Sequence, residues 1–335
     1  MILIDALFIN SGGGKILLDY LVEVIEKSEF EAYYLFDERC KTFYNTVPPN
    51  RKEYLTPSIY KRHSFYKKNK NKFDKVFCFG NLPPTIRLRS IVYTYYHNVL
   101  TLDFPKSHPF KAKVKNTFKQ LLLRVISKNT NFYLVQTKSV QNLLERKLNL
   151  DKKKIVIHPF FEIVNSDVQE KRLENQFIYV SDGASHKNHI FLLDVFEKFS
   201  TISINKPILV LTVSQNFVDL NIKINELIQK GLHIKNIGVV PRAELVSFYK
   251  ASKYSIYASK RESFGLGLIE SAYYGCSVIA PDLNYVHDVI VPSLTYDIFK
   301  PEELLNELLH LDEKSLKETE IIVKNELDQI LKLLF

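Results

Sequence analysis

Short apolar runs rich in β-branched and aromatic residues alternate along this chain with longer amphipathic stretches, and that alternation constrains the fold more than any other feature. Residues 2–9, 75–79, 91–96 and 132–136 read as strands in the first half, and 155–157, 177–180, 207–213, 254–257 and 277–280 come after them. Between them, residues 15–28, 111–128, 139–148, 189–200 and 243–250 carry helical periodicity. Strands alternating with helices demand right-handed βαβ crossovers and mainly parallel sheets. A length of 335 residues exceeds one ordinary core. His158-Pro159 ends one strand, and residues 162–176 are polar and poor in periodicity, as a linker is. The chain therefore reads as an α/β protein of two Rossmann-like domains, residues 1–163 and 164–335, with parallel sheets facing a ligand cleft. The last helix is a candidate to pack back on the first domain.

Charge is divided unevenly. Residues 1–160 hold 28 Lys and Arg against 13 Asp and Glu, a net of +15, and the remainder holds 18 against 24, a net of −6. Such asymmetry points to an anionic partner for the first domain, whether nucleic acid, a membrane surface or a phosphorylated substrate. No window reaches 18 consecutive apolar residues. The apolar start, residues 1–9, lacks a basic flank and contains Asp5, so it reads as a buried strand rather than a signal peptide. Cys40, Cys78 and Cys276 are scattered without metal-ligand or C-x-x-C spacing and read as buried thiols of a cytoplasmic protein.

Open parallel sheets bind ligands beyond the carboxyl ends of their strands, so those junctions carry the functional argument. The first is Asn10-Ser11-Gly12-Gly13-Gly14-Lys15. Glycines there allow close backbone approach and present amides to an anion at a helix start. It is no Walker A loop, because Ile9 stands where the earlier glycine belongs and Ile16 replaces the magnesium-binding Ser/Thr. Leu17 likewise breaks G-x-G-x-x-G. A glycine turn with no ligand is the competing reading.

The most informative segment is YASKRESFGLGLIESAYYGCSVIAPDLNYVHDVI, residues 257–290. A strand ends near Tyr257, Ser259 to Ser263 form a loop, and Phe264-Gly265-Leu266-Gly267 opens a helix carrying Glu270. Gly275 suits the residue that closes this helix. Glu262 and the backbone amides of Ser263, Phe264, Gly265 and Leu266 thus gather at a helix N-terminus, where a diphosphate is stabilised.

This segment resembles glycosyltransferase family 4, the large retaining family of GT-B fold. Its signature is Glu, seven residues, Glu around a Phe-Gly pair, and then Gly-x-x-Val-Ile. Here it stands as Glu262-Ser-Phe-Gly-Leu-Gly-Leu-Ile-Glu270 and Gly275-Cys-Ser-Val-Ile. The approach Ile237-Gly238-Val239-Val240-Pro241 and Glu244-Leu245-Val246 is also similar. The resemblance spans residues 177–292 and implies that Glu262 contacts donor-sugar hydroxyls and Glu270 the ribose. It also implies that Lys187, in Ser181-Asp182-Gly183-Ala184-Ser185-His186-Lys187, faces the donor diphosphate. The family's arginine falls at Ser181, which leaves Lys260 and Arg261 as candidate replacements. His97, ending Tyr93-Thr94-Tyr95-Tyr96-His97, matches a histidine that many members place near donor and acceptor, with His158 and His186 weaker. Glu262, Lys187 and His97 are accordingly the expected catalytic residues. Gly12, Gly13, Gly14, Ser181, Ser263, Phe264, Gly265, Leu266 and Glu270 are the expected donor-binding residues.

The activity implied by this resemblance is transfer from a nucleoside-diphosphate sugar to an acceptor hydroxyl with retention, in bacterial surface polysaccharide synthesis such as O-antigen or capsule. No Asp-x-Asp triplet occurs, so no metal and no cofactor are expected. Lys106, Lys111, Lys113, Lys115, Lys119, Arg124 and Lys128 flank Phe110, Phe118, Leu121, Leu122, Leu123 and Val125. A helix so composed would suit an anionic membrane surface and a lipid-linked acceptor at the inner face of the cytoplasmic membrane. An inactive nucleotide-sugar-binding relative and a nucleic-acid binder are the rival readings. The latter lacks any recognised reader motif.

Overall fold

The computed structural model describes residues 1–102 and 110–335, with the side chains of residues 101 and 110–116 outside the description. The chain divides into two compact units, Met1–Glu162 with Lys324–Phe335, and Ile163–Val323.

In the first unit the order is β1 (Ile2–Asp5), α1 (Gly12–Glu26), β2 (Ala32–Asp37), β3 (Lys52–Leu55), α2 (Ile59–Lys68), β4 (Lys75–Cys78), β5 (Ile91–Tyr96), α3 (Phe110–Ile126), β6 (Phe132–Val135), α4 (Lys138–Leu148) and β7 (Ile155–Ile157). Its seven strands lie in the order β3-β2-β1-β4-β5-β6-β7, and every neighbouring pair is parallel. The strand order reverses between β1 and β4, which makes their carboxyl ends the switch point of this sheet. The first strand is shorter than its apolar run, ending at Asp5, and Phe8 turns the chain with φ 82°. The three glycines are also not a loop ahead of the first helix: Gly12 to Gly14 form its first turn.

The second unit runs β8 (Leu173–Tyr179), α5 (His189–Ile202), β9 (Ile208–Leu211), α6 (Val218–Gln229), β10 (His233–Asn236), α7 (Arg242–Ala251), β11 (Ser252–Ile256), α8 (Leu266–Tyr273), β12 (Ser277–Pro281), α9 (Asn284–His287), β13 (Ile290–Val291), β14 (Leu294–Tyr296), α10 (Pro301–Leu309) and β15 (Glu320–Ile321). Six strands form a parallel sheet, β10-β9-β8-β11-β12-β14, and β13 pairs with β15 in a short antiparallel ribbon. Its switch point lies between β8 and β11.

The chain then returns to the first unit as α11 (Leu327–Leu334). Leu327, Ile330, Leu331 and Leu334 are spaced to share one helix face, and they join the core of Ile2, Ile4, Leu21 and Tyr34. Burying four such side chains contributes roughly 6–12 kcal/mol before the cost of ordering the segment. The Phe335 ring stacks on Phe30 at 4.4 Å. Beneath the first sheet a buried ion pair joins Arg62 Nε to Asp5 Oδ2 at 2.7 Å, and Asp5 Oδ1 accepts the Leu7 amide at 3.2 Å. That pair ties α2 to the turn that leads into the glycines.

Candidate functional site

In the second unit, the switch point sets the loop after β8 beside the loop after β11. Tyr179, the last residue of β8, donates its hydroxyl to the carbonyl of Lys187 at 2.8 Å and lies 2.7 Å from Ser259 Oγ. Tyr285 donates to the Ser259 carbonyl at 2.8 Å, and the Lys260 amide donates to the His186 carbonyl at 2.8 Å. These bonds fix the two loops against each other by their main chains. Across them Lys187 Nζ meets Glu262 Oε1 at 2.6 Å, and their side chains are 17% and 14% exposed. An ammonium and a carboxylate 75 positions apart in sequence are thus paired at a half-buried edge, short of full desolvation.

Two helices start beside this pair. Asn188, with φ 60° and no side-chain cap on the helix, precedes α5, and its Nδ2 is buried without a hydrogen-bond partner. Gly265, with φ 79°, precedes α8, a conformation that a Cβ would strain. The far end of α8 closes as a Schellman motif, with Gly275 N–H donating to Ala272 O and Cys276 N–H to Ser271 O. The N-terminus of each helix contributes partial positive charge next to Lys187 and Glu262 respectively.

Glu270 is the fifth residue of α8, just past its first turn, and is 8% exposed. Its Oε1 accepts from Arg242 Nη2 at 2.7 Å and from Nε at 3.2 Å, and its Oε2 accepts from Tyr249 at 3.3 Å. Arg242, the first residue of α7, is the functional neighbour that the sequence reading missed. No local pattern could have announced it, because the contact exists only once β11 has carried the chain from α7 to α8. Ser181, at the place of the family's arginine, is engaged by His189: Oγ and Nε2 are 3.2 Å apart. Burial pushes the His189 imidazole down to about 4, so the ring is neutral near pH 7. Phe264 packs inward at 5% exposure, and Ser263, Gly265 and Leu266 are half-buried around it.

The first unit brings together two of its expected residues. A Cβ built on Gly14 would lie 3.0 Å from His97 Nε2, so the glycine turn packs directly on this ring. Phe79 and Tyr95 enclose the same ring edge-on, with centroids 5.2 and 5.5 Å away. Burial pushes His97 down to about 4, and its Nδ1 is buried without a hydrogen-bond partner. Neutral imidazole offers one donor and one acceptor, so His97 is a hydrogen-bonding group here and not a cation. Gly12 and Gly13 are open, with nothing within 4 Å of a built Cβ. Lys15 is paired with Asp19, its ammonium 2.7 Å from both carboxylate oxygens. His158 is likewise committed to Glu326, at 2.7 Å.

Residues 162–322 match the glycosyl transferases of group 1. That match spans the second unit. A capsular polysaccharide biosynthesis glycosyltransferase of Staphylococcus aureus is 31% identical over 174 residues, 51% of this chain and 48% of that protein. An O-antigen chain mannosyltransferase of Salmonella typhimurium is 24% identical over 222 residues, 64% of this chain and 57% of that protein. The chain spans about half the length of these curated relatives. The Anabaena protein HepE, whose structure holds UDP and glucose, superposes with a TM-score of 0.69 at 13% identity, covering 100% of this chain and 95% of that one. The fold is therefore GT-B, two parallel-sheet α/β units, and the second unit carries the Glu262 and Glu270 pair and Lys187.

Proposed function

We propose that this protein is a retaining glycosyltransferase that moves a sugar from a nucleoside-diphosphate sugar to an acceptor hydroxyl during bacterial surface polysaccharide synthesis. The observation that carries the reading is the Lys187–Glu262 pair at the β8–β11 switch point, formed by two residues of the family motif and flanked by two helix starts. On donor binding, Lys187 exchanges its carboxylate for the diphosphate, and Glu262 is released to accept sugar hydroxyls. Charge that gathers on the leaving diphosphate is then met by the ammonium and by the helix N-termini, which are already in place. That field stands in for a divalent cation, so the proposal includes no metal and no cofactor. Glu270, held by Arg242 and Tyr249, keeps acceptor capacity for ribose hydroxyls. Retention proceeds by same-face attack, since no carboxylate is assigned as a nucleophile.

The acceptor is proposed to be a saccharide or lipid-linked saccharide, met at an anionic membrane surface on the cytoplasmic side. Support comes from α3, where Phe118, Leu121 and Val125 are 69%, 58% and 62% exposed on one helix face. Lys106, Lys111, Lys113 and Lys115 of that basic segment have side chains outside the described residues, as does Phe110. Among the described residues no helix is long and apolar enough to cross a membrane. Flotation with anionic but not neutral vesicles, released by salt, is the expected outcome.

Ser181 in place of an arginine favours one other reading, an inactive nucleotide-sugar-binding relative. A thermal-shift screen over nucleotide sugars, and then turnover of whichever donor raises the midpoint, tests both. Stabilisation together with sugar transfer supports the enzyme, stabilisation without turnover supports the inactive relative, and no stabilisation by any nucleotide sugar sinks both.

A further inference from the structure

A second concave site lies in the first unit, away from the glycine turn and His97. It is a pocket of about 630 Å³ bordered by Arg87, Arg124, Lys128 and Lys154, with Thr130 and Tyr133 among its lining. Its position is set by the parallel sheet. Arg87 precedes β5, Thr130 and Asn131 precede β6, and Lys154 precedes β7, so the pocket lies at the amino ends of these strands. The glycine turn and His97 come after the carboxyl ends of β1 and β5, at the opposite edge of the same sheet.

Four cations share this pocket with a single acid, Asp151. The Asp151 carboxylate is occupied locally, accepting the Lys153 amide at 2.9 Å. None of the four cations forms an ion pair among the described residues. Arg124 Nε donates to the Lys147 carbonyl at 2.9 Å, and Arg87 donates to the Lys128 carbonyl, which explains the two guanidinium groups as links between helix ends. The ammonium groups of Lys128 and Lys154 have no such partner among the described residues. Gathering four like charges around one concavity is unfavourable unless an anion binds there. Two guanidinium forks and two ammonium point charges together match a phosphate, which offers several strong acceptor oxygens. Tyr133 adds a polar group, its hydroxyl being buried without a hydrogen-bond partner. Val125 lines the rim and is 62% exposed, continuous with Phe118 and Leu121 along α3.

We propose that this pocket binds a phosphate-bearing ligand, separately from the sugar-donor site and without relying on the transferase reading. The phosphate can arrive on a soluble molecule or on a lipid headgroup, and the apolar rim is suited to either the edge of a bilayer or a short apolar tail. The experiment is calorimetric titration of the whole protein with inorganic pyrophosphate, and co-sedimentation with phosphatidylglycerol and phosphatidylcholine vesicles. Lys187→Met, which lowers the donor site's own affinity for phosphates, serves as a second background, and the double change Lys128→Gln/Lys154→Gln is compared with its parent in both wild type and Lys187→Met. Both pocket lysines are exposed, so the double variant is expected to fold, and circular dichroism checks this. The expected result is a weakening of about tenfold or more per lysine removed, of the same size in both backgrounds. Loss in the pyrophosphate arm identifies a soluble phosphate. Loss confined to phosphatidylglycerol vesicles identifies a lipid headgroup. Equal binding by wild type and the double variant in both arms overturns the proposal.

Discussion

Replacing Lys187 with Met removes one ammonium while keeping the length of the side chain. The loop around it is held by main-chain bonds that the substitution leaves intact: the Lys187 carbonyl accepts from Tyr179 at 2.8 Å, and the Lys187 amide donates to Ala184 O at 2.9 Å. The loss is therefore confined to the charge-assisted contact. Such a contact is worth about 1.5–3 kcal/mol, so affinity for a nucleoside diphosphate should fall roughly 10- to 150-fold. Affinity for the bare nucleoside should barely change. Glu262, 14% exposed at its side chain and 2.6 Å from the lost ammonium, would also be left without its partner. That should cost about 1–3 kcal/mol of stability, between the values for exposed and buried pairs, and Lys187→Met/Glu262→Gln should recover part of it. Calorimetry on diphosphate and nucleoside, with urea unfolding of wild type and the two variants, reads both effects. Parallel losses for the two ligands, or an unchanged diphosphate affinity, would refute the assignment of Lys187 to the phosphates.

Three further outcomes rest on the same geometry. Glu262→Ala should depress turnover about 100-fold with the fold intact, whereas Glu270→Ala and Arg242→Ala should act mainly on nucleotide affinity; a normal rate in Glu262→Ala removes it from the site. Gly14→Ala should destabilise by about 1–3 kcal/mol, because its Cβ would meet the His97 ring at 3.0 Å, while Gly13→Ala, with nothing within 4 Å, should be neutral or stabilising; equal midpoints for the two would show that the turn does not press on His97. His189 is neutral in the folded protein down to about 4 but protonates near its ordinary 6.5 when unfolded, so the unfolded state takes up more protons between those values. Stability conferred by His189 is thus full above about pH 6.5 and falls as pH drops, by up to about 3 kcal/mol, and the urea midpoint of His189→Gln should depend less on pH over that range.

Much of this arrangement could be read from the residues, because its parts are local. The Glu262–Glu270 spacing is carried by one loop and one helix, and Gly275 closes that helix as its position suggests. The parts that could not be read are edge elements and long-range contacts. Lys52–Leu55 is a half-buried edge strand and His233–Asn236 buries only Ile234, so neither has the apolar run that marks an interior strand. Ala32–Asp37 is a buried strand, yet it carries no alternation, since its residues are covered on both sheet faces. The basic stretch from Lys61 gave no helical signal because Arg62, Phe65 and Tyr66 are its buried face, and Arg62 is there to meet Asp5. Arg242 escaped notice for a related reason: its partner Glu270 lies 28 residues on, in another helix.

Retention of configuration is the central claim, and the first-formed anomer tests it most directly. The protein is incubated with α-linked nucleoside-diphosphate sugars, water serving as a slow surrogate acceptor, and the released sugar is tracked by proton NMR faster than it mutarotates. The account predicts that the α anomer appears first, and that Glu262→Ala slows its release by about 100-fold. Appearance of the β anomer first would contradict same-face attack, and release that is indifferent to Glu262 would contradict the site itself.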